Sequence, residues 1–148
     1  MQRTRVKRGQ GGVAVLELAL ILPLLLVLTF VVTEFGRAIY QYNTLTKSVR
    51  DAVRYLSIQT PNTRLQEAQN LVVYGNTAGT GTPLALGLNT SQVSALWSPP
   101  SGTNPAIPTV TVLISNYSFQ SIFPSVFGLP FDAIPFSSIR ATMRSHAS

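Results

Sequence analysis

Apolar residues fill the chain almost without interruption from Val13 to Val32, and beyond that run they thin into a stripe. As a helix the run is about 30 Å long, the thickness of a bilayer's hydrocarbon core. From Phe35 onward the apolar positions Phe35, Ile39, Tyr42, Leu45, Val49, Ala52, Val53 and Leu56 recur at steps of three and four. That is helical periodicity. Together the two stretches predict one helix over residues 13–57, its lower half in lipid and its upper half packed on a head. Pro23 falls within the run. It removes one helix hydrogen bond and predicts a kink, which bilayer segments tolerate.

Thr60-Pro61-Asn62-Thr63 breaks the pattern. Thr63 is positioned to cap a second helix over about 63–75, with Gln66 and Glu67 in its first turn. Leu65, Ala68, Leu71 and Val72 keep helical spacing, and Gly75-Asn76 supplies the stop. Residues 79–108 hold five prolines and four glycines and read as loop, interrupted by a short strand or turn at 93–97. Residues 109–115 alternate with β-branched side chains and predict a strand. Residues 136–143 predict a second. Between them Phe119, Phe123, Phe127 and Phe131 are interspersed with Pro124, Gly128 and Pro130, which rule out a regular helix. These aromatics either close a small sheet over a helix or form a docking surface. The fold class is α+β: a long N-terminal membrane-spanning helix running into a small head with a second helix and a short antiparallel sheet.

Charge sharpens this picture. The chain carries 11 Lys and Arg against 5 Asp and Glu, a net charge of +6. Four of those cations, Arg3, Arg5, Lys7 and Arg8, precede the apolar run, so a chain without them carries only +2. Basic residues beside an apolar segment keep that end cytoplasmic. Nucleic-acid binding is not the reading. An ordinary secretory signal has a shorter apolar core of about 7–15 residues before its cleavage site, so a membrane anchor fits better. Lys47, Arg50 and Arg54 fall on one helical stripe away from the apolar one, with Arg37 below it. They are candidate contacts for a partner subunit or anionic headgroups, or simply a solvated helix face. Asp51 follows Lys47 by one turn, a weakly favourable pair.

Chemistry is thin. There is no cysteine, hence no disulfide, thiolate metal site or cysteine nucleophile. Asp51, Glu67 and Asp132 lack metal-ligand spacing, and the one histidine, His146, stands two residues from the end. An enzyme, a cofactor and a bound metal are not expected.

One carboxylate stands out. Glu17 lies inside the apolar run, five residues after Gly12, and a carboxylate in lipid costs several kcal/mol unless paired. A membrane-embedded peptidase cutting between Gly12 and Val13 would create an ammonium on Val13, about one helical turn away. That group, in the same subunit or a neighbour, would offset the cost. A plainer account leaves Glu17 near the headgroups, since it is only about 6 Å from Val13 along the helix.

The segment Arg8-Gly-Gln-Gly-Gly-Val-Ala-Val-Leu-Glu-Leu-Ala-Leu-Ile-Leu-Pro23 resembles the TadE/TadG-like proteins of tight-adherence (Tad, or Flp) pilus systems. So do Glu34-Phe-Gly-Arg37 with Tyr40, Asn43-Thr-Leu-Thr46, and Ala52-Val-Arg-Tyr55. The second half resembles them more weakly, through Val110 and Val112, the Phe-Pro connector, and Ala141-Thr-Met-Arg144. The resemblance implies a minor pseudopilin of a type IVc pilus that serves adhesion and biofilm formation. It implies a precursor cut after Gly12 by an aspartic prepilin peptidase, making Glu17 the fifth residue of the mature chain. Its partners would be that peptidase, other pilins and pseudopilins, the inner-membrane assembly platform and the lipid bilayer. The family's major pilin is far shorter and often has Tyr after the Glu; here Leu18 follows. The expected organisation is a cleaved leader over 1–12, a transmembrane helix over 13–33 and a pilin-like extracytoplasmic head over 34–148. The alternative is an uncleaved, TadG-like single-pass anchor whose head binds envelope or surface components.

Overall fold

The computed structural model describes residues 11–98, 107–122, 125–126, 129–130 and 134–146. Leader residues 1–10, loop residues 99–106, and Phe123, Phe127 and Phe131 of the aromatic connector lie outside the described residues.

The first helix, α1, runs from Gly11 to Ser57 and is continuous through Pro23. The second, α2, spans Leu65–Tyr74. Three six-residue strands follow: β1 (Val93–Ser98), β2 (Thr109–Ile114) and, at the end, β7 (Ile139–Arg144). Four two-residue strands lie between the last two: β3 (Ser118–Phe119), β4 (Ser125–Val126), β5 (Leu129–Pro130) and β6 (Ile134–Pro135). The main sheet is antiparallel in the order β1-β2-β7, with Ala95 opposite Val112 and Val112 opposite Ala141. β3 pairs with β6 and β4 with β5 in two small ribbons. The architecture is α+β, as the sequence predicts.

β2 alternates because one face of the sheet packs on the helices and the other faces outward. Val110, Val112 and Ile114 point into the core, while Thr109, Thr111 and Leu113 lie on the outer face. On that outer face the Thr111 and Thr142 hydroxyls share a 2.8 Å hydrogen bond across to β7. The core sits between the sheet and the two helices. α1 contributes Leu45, Val49, Ala52, Val53 and Leu56; α2 contributes Ala68, Val72 and Val73. Each fully buried Val or Leu among them is worth about 1.5–3 kcal/mol relative to its exposed state. The chain end is tied to the end of α1: His146 N donates to the Ser57 carbonyl at 2.7 Å, and Ser145 N to the Pro108 carbonyl at 2.8 Å.

Two expectations change. Thr63 does not cap α2. The residue before the helix, Arg64, takes a left-handed conformation (φ 56°), and the Thr63 hydroxyl donates to the Thr60 carbonyl at 2.6 Å instead. A turn closed on Thr60 leaves that hydroxyl unable to reach the helix N–H groups. The far end behaves as read: Gly75, at φ 74°, donates to the Leu71 carbonyl and closes α2 in the conformation glycine adopts without steric cost. The second change concerns the stripe on α1. Its upper members, from Leu45 to Leu56, are buried, but Phe35, Ile39 and Tyr42 are exposed. The sheet and α2 pack alongside the upper part of the helix, and lower down Ile134 and Phe136 line one side of an open hollow beside Phe35, Ile39 and Tyr42.

Candidate functional site

The long helix carries every predicted site residue. From Gly12 to Ser57 it is long and apolar enough to cross a membrane, and none of its most apolar stretch is buried against the rest of the chain. A soluble core helix of that composition would be covered. Two hydroxyls along it are satisfied internally: Thr29 donates to the Leu25 carbonyl and Thr33 to the Thr29 carbonyl, each at 2.8 Å. Such bonding inside the helix is what a segment surrounded by hydrocarbon requires.

Gly12 and Val13 lie in the first turn of α1, and space is open around Gly12. Glu17 is exposed and forms no ion pair or hydrogen bond among the described residues. The structure therefore offers the carboxylate no internal partner. Pro23 follows by six positions on the same exposed helix.

At the junction of helix and head the structure builds a cluster that the sequence shows only in part. Glu34 is buried, and Arg37 Nη1 donates to its Oε1 at 2.6 Å across one helical turn. The Arg37 guanidinium lies over the Phe119 ring, 5.4 Å from its centroid, a cation–π distance. Phe119 in turn stacks on Phe136, which meets Tyr117 and, edge to face, Tyr42. The second carboxylate oxygen of Glu34, Oε2, is buried without a hydrogen-bond partner among the described residues. The three-residue spacing of Glu34 and Arg37 is legible in the sequence. The Phe119 ring that covers Arg37 lies 82 positions further along the chain, and its place there is not legible.

Arg37 is thus half-buried and engaged by its own chain. Lys47, Arg50 and Arg54 project outward from α1. Lys47 and Asp51 do not close into an ion pair; both line a shallow hollow of about 240 Å³ with Thr44, Ser48, Leu71, Gly75 and Leu84. The other ion pair among the described residues is Arg64 with Glu67, 2.8 Å apart at the start of α2. Arg64's hydrogen bond holds the Glu67 carboxyl below its ordinary range. Tyr117 pins the head to the helix, its hydroxyl 3.1 Å from both Gln41 Oε1 and the Leu86 carbonyl oxygen. No group of three or more metal-binding side chains occurs among the described residues.

An exposed apolar helix bearing a small α+β head defines a class, the helix-anchored membrane protein. Within that class, residues 12–54 match the model of the TadE-like protein family. This is the stretch from the start of α1 to one turn before its end, and it agrees with the resemblance read from the sequence. The match covers the helix and not the head; it points to a Tad pilus-related role, and with the exposed helix it supports a membrane-anchored protein. No curated protein and no solved structure matches the chain.

Proposed function

We propose that this chain is a minor pseudopilin for assembly of a Tad/Flp-type pilus. Its precursor sits in the inner membrane with the leader inside and the head outside, and a prepilin peptidase cuts it between Gly12 and Val13. The apolar helix then packs with neighbouring pilin helices, and Glu17 meets the ammonium of a mature N-terminus. The work is assembly rather than catalysis.

The observation that carries this reading is the TadE-like match over residues 12–54, which falls on the exposed apolar helix and includes Gly12, Val13 and Glu17. The local structure is compatible. Gly11 and Gly12 form the first turn of α1, and glycine in a helix costs about 0.5–1 kcal/mol relative to alanine. That turn opens easily to the extended conformation a peptidase needs. The experiment is the N-terminal residue and mass of the protein from native membranes, with and without the prepilin peptidase. The expected result is a chain starting at Val13 only where the peptidase is present.

One observation favours a second reading, the uncleaved TadG-like anchor. α1 is regular across the Gly12–Val13 bond, which an unprocessed anchor would keep. An intact leader under both conditions would establish that reading instead.

A further inference from the structure

We propose that the bilayer reaches higher on this protein than its apolar run implies. The base of the head, through Phe35, Ile39, Tyr42, Ile134 and Phe136, rests in the lipid headgroup layer on the head's side of the membrane.

The first observation is the hollow these side chains form with Ala38: about 290 Å³, wholly apolar, on the outside of the molecule. Phe35 is 62% exposed, Ile39 48%, Tyr42 41% and Ile134 46%. So much adjoining apolar surface marks a contact. Its continuity names the occupant. Leu28, Val32, Phe35, Ile39 and Tyr42 follow one another at steps of four and three and are all exposed. They form one uninterrupted face, and lipid already lies against its lower part.

The second observation is independent and concerns charge. Between Glu17 and Lys47 the only charged residues are Glu34 and Arg37. These two neutralise each other at 2.6 Å, with Glu34 buried in the head and Arg37 folded over Phe119. The stretch from Leu18 to Thr46 is therefore without an uncompensated charge. Its length is about 43 Å at helical rise, against about 40–45 Å for a bilayer including both headgroup layers. Lys47 is then the first uncompensated charge on the head's side and marks that face of the membrane. Ion pairing turned inward is what a charge at lipid depth requires.

Two further details fit. Thr44 and Thr46 return their hydroxyls to the Tyr40 and Tyr42 carbonyls at 2.9 and 2.8 Å, as Thr29 and Thr33 do lower down. Tyr40 and Tyr42, both exposed, lie at the level where amphipathic rings gather at membrane interfaces. The consequence is a head seated on the membrane rather than held off it.

This inference rests on membrane anchoring and not on pilus assembly. The chain has no cysteine, so single cysteines can carry a polarity-sensitive fluorophore. The test uses the full chain in phosphatidylcholine–phosphatidylglycerol vesicles at high lipid-to-protein ratio, labelled in turn as Ile39→Cys, Ile134→Cys, Leu25→Cys and Leu96→Cys. Leu25 reports the bilayer interior, and Leu96 the solvent-exposed outer face of the sheet. The expected result is that headgroup nitroxide lipids quench most of the emission at positions 39 and 134 and aqueous iodide little of it, with the reverse at position 96. Iodide quenching at 39 and 134 equal to that at 96 would overturn the proposal. So would protection that disappears as the protein is diluted in lipid, because a second copy would then be the occupant. Iodide quenching at position 25 would overturn the anchoring itself, a failure distinct from that of the headgroup contact alone.

Discussion

Tyr117 shows how one buried phenol makes the head sensitive to pH. Burial raises its pKa above the ordinary tyrosine value of 10.0, because a phenolate loses more solvation than a phenol. A group whose pKa is raised by folding contributes its stability fully below the unfolded value. That contribution is lost as pH climbs from about 10 through the folded value. The expected outcome is an alkaline loss of head stability in the full detergent-solubilised chain that Tyr117→Phe makes shallower. The same substitution lowers stability by about 1 kcal/mol near neutral pH, since Gln41 Oε1 and the Leu86 carbonyl lose a donor. Denaturant unfolding of both proteins at neutral and alkaline pH checks it. Equal alkaline slopes would assign the effect to another group. Arg64 and Glu67 act at the opposite end of the scale. The lowered Glu67 carboxyl favours folding above its unfolded value and loses that effect as pH falls through the folded one. The pair lies at the surface, with Arg64 exposed and Glu67 partly so, where such pairs contribute little.

At the scale of the element, α1 is one helix in two environments. Its upper turns are fixed by burial: Leu45 is wholly buried against the sheet and α2. Leu45→Ala is expected to cost the head about 2–5 kcal/mol, the range for truncating a buried leucine. Lys47→Ala, two residues along on the exposed side, is expected to change it by less than about 0.5 kcal/mol. Thermal unfolding followed by circular dichroism in detergent separates the two. Comparable losses from both would mean that this part of the helix is not held by its core face. The elements that were legible in the sequence share a cause. α1, α2, β2 and β7 each repeat a pattern over two turns or more, or over six residues, and β1 was readable as a strand or a turn. The two-residue strands β3 to β6 are too short to show a period, and they lie among prolines and glycines. The stripe from Phe35 to Leu56 was equally readable, but a stripe says only that one face is apolar. Whether the chain's own sheet or something else covers that face depends on how far the sheet reaches. The cover over Arg37 was hidden for a related reason, because Phe119 reaches it through tertiary folding.

For the whole molecule, the proposed assembly turns on what Glu17 meets. Its position in the apolar run was plain from the sequence; its partner was not, because no described residue supplies one. That leaves the membrane surface, or a cation that exists only after processing. The new ammonium on Val13 would lie about one helical turn, roughly 6 Å, from the carboxylate along the same helix. A helix holds that ammonium at its own N-terminus, facing down the axis, so a neighbouring subunit shifted by about one turn would present its ammonium equally well. A desolvated pair of this kind is better supported as setting register than as adding net stability. Glu17→Gln keeps shape and hydrogen-bonding capacity while removing the charge. It is therefore expected to insert in the membrane normally, to be processed at Gly12, and to lower the number of assembled pili. Three measurements separate the possibilities: membrane fractionation, the N-terminal residue, and a count of surface filaments. Loss of processing together with filaments would assign the carboxylate to recognition by the peptidase. Normal filaments would remove Glu17 from the mechanism and leave it as a group anchored at the membrane surface.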